Sequence, residues 1–440
     1  MKFHEYLKDL LLNTINQMAE NPTLYAKKPG KDFTRNRKLG FTQFIQMLLT
    51  LEGECLREEI YRFCGRTTDA PTKAAFYKQR QKLRKDAIAN LLFAFNSKLK
   101  SNLYNGKYQL IAIDGSTLDI FRNPDDTDSY FPPSKKTSIG FNQVHLNAAY
   151  SILDDRFTDI VVQPGRKRNE YKAFCQLVDN ASNASKNNNP IIYICDRGYA
   201  SYNDYAHVIE NNQYFLIRCS DKRVSKILGY SISDITNLDL SIERILSHSQ
   251  SKKKRLQPNR ENDYRYICKD VTFDYINDSN PEYTIALRVI RLEIADGIYE
   301  NLITNLPEHE FNTDDFKELY SLRWREENAF RTIKYPLKMK AFHSKKYDYI
   351  EQEIWARCVL YNFCSEISKN VKIPKKEGLK HQYQINYSEA SKTCREFLRL
   401  PKGKTKDVMS IIAKNIEPIR QGRKYKIVHR CMHPISFGYR

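Results

Sequence analysis

The sequence predicts a mixed α+β protein in which a core of alternating strands and helices carries a β-rich insertion and is flanked by helical regions. Three observations predict this class. Apolar residues recur at helical spacing through residues 1–106 and again beyond residue 350. Short apolar runs of strand length alternate with helical stretches through residues 107–220. Residues 221–300 add strand-like runs at 264–273 and 283–294, between polar and basic segments.

The N-terminal region contains three segments with the apolar spacing of amphipathic helices, 6–18, 41–51 and 55–63. A fourth helix is predicted over residues 72–85, directly after a proline. This segment is either the second helix of a helix-turn-helix that reads a DNA groove or an ordinary basic surface helix. Its candidate DNA contacts are Lys73, Lys78, Arg80 and Lys82.

The central region follows a recognisable order of elements. Strands are predicted at 109–113, 143–153, 157–163, 190–195 and 213–218. Helical stretches at 170–181 and 201–211 precede the fourth and fifth strands. Three strands, a helix, a strand, a helix and a strand form the order of a ribonuclease H-like fold. This order places the first and fourth strands side by side.

Each of those two strands is followed by an aspartate, Asp114 after the first and Asp196 after the fourth. A carboxylate at the carboxyl end of a central strand lies where α/β and mixed sheets place their active sites. Gly115 and Gly198 are expected to let the backbone turn sharply at these points. A single aspartate in such a position is often only a turn former or helix cap.

A helix predicted over residues 320–334 supplies a third carboxylate. At about 100° per residue, its polar side chains Tyr320, Arg323, Glu327 and Lys334 share an arc of about 60°. An apolar stripe runs beside that arc. The pattern fits either a solvated face with ordinary charge pairs or a metal ligand between phosphate-binding cations. With the two aspartates it makes three hard oxygen ligands, which suit Mg²⁺.

The order Asp, Asp, Glu, with Tyr-x2-Arg-x3-Glu-x6-Lys around the glutamate, resembles the DDE transposases of the IS-four type. These are cut-and-paste enzymes of bacterial insertion sequences. The matching stretches are residues 113–117, 195–199, 301–305 and 320–334. The resemblance implies that Asp114, Asp196 and Glu327 are catalytic and hold two Mg²⁺ ions, for which Mn²⁺ can substitute. It also implies that Tyr320, Arg323 and Lys334 contact DNA.

One position departs from the family pattern. The residue before the catalytic glutamate is commonly apolar, whereas this chain has Glu326. At about 240° on the predicted helix it points toward the apolar stripe. It could reach solvent, pair with Arg323 or Arg325, or compete as a metal ligand. The spacing of the motif favours Glu327 as the ligand.

The resemblance implies a DNA transposase that binds the terminal inverted repeats of its element in double-stranded DNA. It would cleave the strands and transfer them to target DNA by a cut-and-paste route, as a homodimer assembled on DNA. It also favours the DNA-binding interpretation of the basic helix at 72–85. Two alternatives stay open: a ribonuclease H-like nuclease that cuts without joining, and a transposase-derived DNA-binding protein that is catalytically inactive.

The predicted organisation has five parts. These are a helical DNA-binding domain (1–106), the first part of the core (107–220), the β-rich insertion (221–300), the second part of the core (301–372) and a basic C-terminal region (373–440). From residue 395 to the end, 12 Lys and Arg face 3 Asp and Glu. This tail is expected to contact DNA or a second subunit, or to be a solubilising segment. The basic run at 252–255 interrupts the insertion.

The composition supports a polyanionic partner. The net charge is +20, which is the electrostatic signature expected of a nucleic-acid-binding protein. No apolar run approaches the roughly 20 residues of a membrane-spanning helix, so no membrane association is expected. The ten cysteines include no Cys-x-x-Cys pair, which predicts a reducing cytoplasm and no zinc site. The resemblance implies that this cytoplasm is bacterial and that the protein is associated with the nucleoid.

Overall fold

A computed structural model describes residues 2–419 except 36, 136–138, 185–188, 251–262, 338, 340, 374–381, 402 and 405. The helices are α1 Phe3–Glu20, α2 Phe41–Thr50, α3 Leu56–Phe63, α4 Lys73–Arg80, α5 Ala87–Asn96, α6 Glu170–Ala184, α7 Tyr202–Glu210, α8 Asp221–Leu228, α9 Thr313–Ser321, α10 Trp324–Lys334, α11 Tyr347–Lys369, α12 Tyr387–Arg399 and α13 Val408–Lys414. The strands are β1 Gln109–Ile120, β2 Tyr130–Phe131, β3 Phe141–Ser151, β4 Arg156–Pro164, β5 Ile191–Cys195, β6 Tyr214–Cys219, β7 Leu238–Ser247, β8 Tyr264–Tyr266, β9 Glu282–Ala295, β10 Ile298–Thr304, β11 Tyr383–Ile385 and β12 Ile416–Pro418.

Ten of these strands form one mixed sheet in the order β2-β3-β1-β5-β6-β10-β9-β7-β8, with β4 also paired to β3. Strand β3 is antiparallel to both of its neighbours, β1 and β4, whereas β1, β5 and β6 are parallel. Helix α6 leads from β4 into β5, and α7 connects β5 to β6. This is the ribonuclease H-like arrangement, so the predicted fold class is confirmed.

The region predicted as a β-rich insertion is part of the same sheet. Strand β9 pairs with β10, and β10 pairs with β6 of the core. Apolar residues of the insertion such as Leu287 and Val289 share a core with Phe215 and Ile217 of β6. Strand β7 was not predicted, and the predicted strand at 264–273 is only three residues long. The basic run at 252–255 lies outside the described residues.

The helices at the two ends of the chain share one apolar core. Buried residues of α1, α2 and α5 pack with those of α11 and α12, and the same cluster includes apolar residues of β1 and β3. Helices α1 and α12 each contribute a buried stripe to this cluster, whereas α11 is buried on nearly all sides. The N-terminal helices are therefore packed onto the core. The domain boundaries suggested by the sequence remain a prediction.

Two features bear on partners outside the chain. No helix in the described part of the chain is both long and apolar enough to cross a membrane. The basic C-terminal tail is described only as far as residue 419, so most of its predicted contact surface lies outside the described residues.

Candidate active site

The sheet brings the two aspartates together. The last parallel pair between β1 and β5 is Ile113 opposite Cys195, and Asp114 and Asp196 are the next residues of each strand. Asp114 does not end its strand, however. Strand β1 continues to Ile120 because β3 pairs with it throughout, with Asp114 opposite Ala148. Asp114 therefore lies where β5, the neighbouring strand on one side, ends, while β3, the neighbouring strand on the other side, continues to pair with β1.

Gly115 has a different role from the predicted turn. Its backbone is part of β1, and it donates a hydrogen bond of 2.7 Å to Asp114 Oδ1. A Cβ at this position would lie 2.5 Å from Nε2 of His145, which is buried on β3. A close approach of the imidazole therefore requires glycine here. The expected turn is wrong because β3 holds the strand extended.

Asp196 begins a single turn of 3₁₀ helix, Arg197–Tyr199. Its Oδ1 accepts a hydrogen bond of 2.7 Å from the backbone N–H of Gly198. The side chain thus caps the turn that follows β5. This contact fixes the carboxylate at the carboxyl end of the strand.

The predicted helix over residues 320–334 is in fact two helices, α9 and α10, joined at Leu322 and Arg323. Backbone bonds of the i to i+3 type tighten the junction, including Arg323 N to Tyr320 O at 3.2 Å. The break is explained by packing, since α9 covers the apolar cluster that contains Leu110 and Ile194. Helix α10 packs against a different cluster, formed with β3 and the terminal helices.

At this junction Arg323 pairs with Glu327. Nη2 of Arg323 donates to Oε1 of Glu327 at 2.9 Å, and its guanidinium lies over the rings of Tyr320 and Trp324. Tyr320 itself is buried, and its hydroxyl has no hydrogen-bond partner among the described residues. Burial raises the pKa of Tyr320 to about 12. The phenol is therefore inside the protein in this structure, beneath the arginine.

Lys334 reaches the strand that carries the first aspartate. Its ammonium donates to the hydroxyl of Ser116. Ser116 and Asp114 are two residues apart in β1 and share one face of the sheet. Lys334 therefore places a positive charge on the same face as Asp114, which the sequence motif alone did not show.

The carboxylates influence one another electrostatically. Burial raises the pKa of Asp114 to about 6, and the negative charges of Asp196 and Glu327 contribute to that shift. The N–H of Gly115 and the guanidinium of Arg323 act in the opposite direction. The structure therefore brings three acids that are far apart in sequence into one electrostatic cluster.

A fourth acid belongs to this cluster. Glu326 is fully buried, and neither of its carboxylate oxygens accepts a hydrogen bond among the described residues. Burial and the neighbouring Asp114 raise its pKa well above the usual range. The sequence left Glu326 open to solvent exposure, to pairing with Arg323 or Arg325, or to competition as a metal ligand, and its full burial excludes the first. The available signal was its phase on the helix, which pointed inward.

Hard carboxylate oxygens of Asp114, Asp196 and Glu327 are a donor set that suits a divalent cation such as Mg²⁺. Burial first, and then the charges of Asp196 and Glu327, raise the pKa of Asp114, so a nearby cation would favour its ionised form. Within the described residues, no group of three His, Cys, Asp or Glu side chains is close enough to hold an ion as it stands. Each of the three acids instead accepts a hydrogen bond from the protein, so binding requires their side chains to rotate.

The basic helix is shorter than predicted, since α4 ends at Arg80. Lys73 and Lys78 are exposed on it. Arg80 is fully buried and forms an ion pair of 2.8 Å with Glu353 of α11, so its prediction as a DNA contact is not supported by its position. Lys82 lies beyond the helix, half-buried, and donates to Gln79. Tertiary packing against α11, which local sequence does not reveal, accounts for Arg80.

Comparison with known proteins gives one family. Residues 105–363 match the family described as Transposase DDE domain, and this range contains Asp114, Asp196 and Glu327. No curated protein matches the chain. Among solved structures, the cryo-EM structure of the piggyBac transposase synaptic complex with hairpin DNA is similar at a TM-score of 0.44 and 10% identity, over 97% of this chain and 87% of that chain.

Proposed function

This chain belongs to the transposase DDE domain family, and from that premise we propose that it is an insertion-sequence DNA transposase of the IS-four type. In this proposal it binds the terminal inverted repeats of its own element, cleaves the strands and joins them to target DNA. The observation that carries the proposal is the meeting of Asp114, Asp196 and Glu327. They come from β1, the end of β5 and α10, and their charges act on one another.

The three acids would hold two Mg²⁺ ions, or Mn²⁺ in their place. Bound divalent cations activate an attacking oxygen and stabilise a leaving oxygen of a phosphodiester, which serves both cutting and joining. The protein positions the ligands. Gly115 and Gly198 N–H groups orient the two aspartates, and Arg323 orients Glu327. Because these contacts come from backbone and a buried side chain, they limit how far the acids must move to bind the cations.

DNA contacts follow from charge and position. Lys334 lies on the face of Asp114 and would neutralise a phosphate of the bound end, while Arg323 would offer its remaining N–H groups to another. Tyr320 would support Arg323 from below or contact the DNA end after a local opening. Exposed Lys73 and Lys78 would contact the terminal repeat. Pairing of two ends would require a homodimer on DNA.

The proposal is tested with purified protein, a DNA fragment carrying the element's end and a supercoiled target plasmid in Mg²⁺. Wild type should cut the end and join it to the plasmid. Asp114→Asn, Asp196→Asn and Glu327→Gln should each abolish cutting while end binding persists, because each removes a ligand oxygen and no phosphate contact. Glu318→Gln, an exposed acid of α9, is the matched control and should keep activity.

Three results would contradict the proposal. Cutting without any joined product would assign the site to a nuclease. Binding of ends without cutting by wild type, under conditions where the fold is intact, would assign the chain to a catalytically inactive DNA-binding protein. Cutting that survives in all three acid variants would place the chemistry elsewhere.

A further inference from the structure

Glu326 lies at the interface between α10 and the sheet, next to the proposed active site. Its side chain has no solvent exposure. It is close enough to Asp114, Cys195 and Tyr199 for its charge to affect all three, which places it beside Asp114 of β1 and the carboxyl end of β5. The backbone N–H of Asp114 lies near the carboxylate but makes no hydrogen bond of good geometry with it.

The charged groups around Glu326 leave it uncompensated. Arg323 is the nearby cation, but its hydrogen bond goes to Glu327. Asp114 and Glu327 are acids and repel it. A buried carboxylate without a hydrogen bond or partner charge is costly and is normally paired or bound to a metal. Among the described residues, no cation therefore pairs directly with the Glu326 carboxylate.

We propose that Glu326 is a fourth acidic residue of the active site and that its carboxylate, together with Asp114, binds a divalent cation. The inference rests on the proposed function, because that function supplies the cation. It gives the two neighbouring glutamates different positions. The side chain of Glu327 is 37% exposed to solvent and is held by Arg323. The side chain of Glu326 is buried and faces the sheet.

This assignment also accounts for the departure from the family motif. An apolar residue before the catalytic glutamate would simply fill space between α10 and β1. A glutamate in that position adds two hard oxygens beside Asp114, and hard oxygens are the ligands that Mg²⁺ and Mn²⁺ take. A carboxylate that only filled space would be worse than the apolar residue, since it would carry a desolvation cost without a partner.

The test measures Mn²⁺ binding to the full chain without DNA, by the loss of the free-ion signal in electron paramagnetic resonance. The variants are Glu326→Gln, Glu326→Met, Asp114→Asn and the exposed control Glu318→Gln. Both Glu326 variants should weaken Mn²⁺ binding by about tenfold or more. They should also keep or raise the melting temperature of the metal-free protein, since each removes a buried unpaired acid. Glu318→Gln should bind as wild type does.

The outcomes separate this inference from the function beneath it. If Asp114→Asn weakens Mn²⁺ binding and both Glu326 variants bind as wild type, Glu326 is not a ligand and the proposed function stands. If Asp114→Asn and the Glu326 variants all bind as wild type, the acidic cluster does not hold the metal and both proposals fail. Using two Glu326 variants, one polar and one apolar, guards against the misfolding of either.

Discussion

At Gly115 the chain has room for a hydrogen atom and nothing larger. The atom nearest to an added methyl group would be Nε2 of His145 at 2.5 Å, and that nitrogen is also 3.0 Å from Glu170 Oε1. The imidazole cannot retreat without leaving its partner. We expect Gly115→Ala to destabilise the protein by about 1–3 kcal/mol, measured by urea unfolding.

The cause of that cost can be tested by a double-mutant cycle. In a His145→Ala background the clash is removed, so Gly115→Ala should cost much less than in wild type. An equal cost in both backgrounds would show that the alanine disturbs the strand itself. No cost in wild type would mean that His145 moves freely.

Lys334 makes a second prediction at the scale of single residues. Removing its charge should weaken binding to end DNA and reduce the slope of log K against log salt by about 1, because one phosphate contact is lost. The measurement is a salt titration of binding for wild type and Lys334→Ala. Ser116→Ala is the matched control, since it removes the hydroxyl that accepts from the lysine and leaves the charge. An unchanged slope for Lys334→Ala would assign the lysine to the fold.

At the scale of elements, α4 carries the proposed sequence recognition. Lys73, Lys78 and Lys85 are exposed cations along and just beyond it. Their joint replacement by alanine should abolish preference for terminal-repeat DNA over random DNA, whereas weak nonspecific binding by the core should remain. Footprinting on an end fragment measures this. A wild-type footprint would move recognition elsewhere, most directly to the basic tail.

Helices α4 and α11 are joined by a buried ion pair, and this gives a pH dependence. Burial alone would raise the pKa of Glu353, but Arg80 and His343 outweigh it and hold that pKa at about 2. A carboxyl with a lowered pKa stabilises the fold fully above its unfolded pKa, near 4.3. That stabilisation, about 3 kcal/mol, is lost as pH falls from there toward 2.

Urea unfolding at pH 6 and pH 3 tests this link. Wild type should lose more stability between the two than Glu353→Gln, which has no proton to take up. Arg80→Ala should destabilise the protein at pH 6 by about 3–5 kcal/mol, since it leaves a buried charge unpaired. Lys78→Ala, an exposed cation of the same helix, is the control. Equal acid losses in wild type and Glu353→Gln would contradict the assignment.

For the whole molecule, the sequence predicted those features that depend on residues close together in the chain. The apolar runs before Asp114 and Asp196 and the order of elements were enough to place two acids side by side. Partners distant in sequence decided the rest. Strand β1 continues past Asp114 because β3 pairs with it, and the helix at 320–334 breaks because its halves pack on different clusters.

Partners distant in sequence also explain why the positions of Arg80 and Glu326 could not be predicted. Arg80 was predicted to be an exposed DNA contact because its ion-pair partner, Glu353, lies 273 residues away in the sequence. The motif identified Glu327 by spacing, but the burial of Glu326 against Asp114 depends on how α10 lies on the sheet. The insertion likewise read as a separate unit, although its strands extend the core sheet through β10.

The central claim is that distant parts of the chain form one metal site, and Fe²⁺ tests it most directly. Bound in place of Mg²⁺ and treated with ascorbate and peroxide, Fe²⁺ releases hydroxyl radicals that cleave nearby backbone. The account predicts cuts near residues 114, 196 and 326–327, suppressed by excess Mg²⁺ and absent in Asp114→Asn. Cuts confined to other parts of the chain, or cuts that persist in Asp114→Asn, would contradict it.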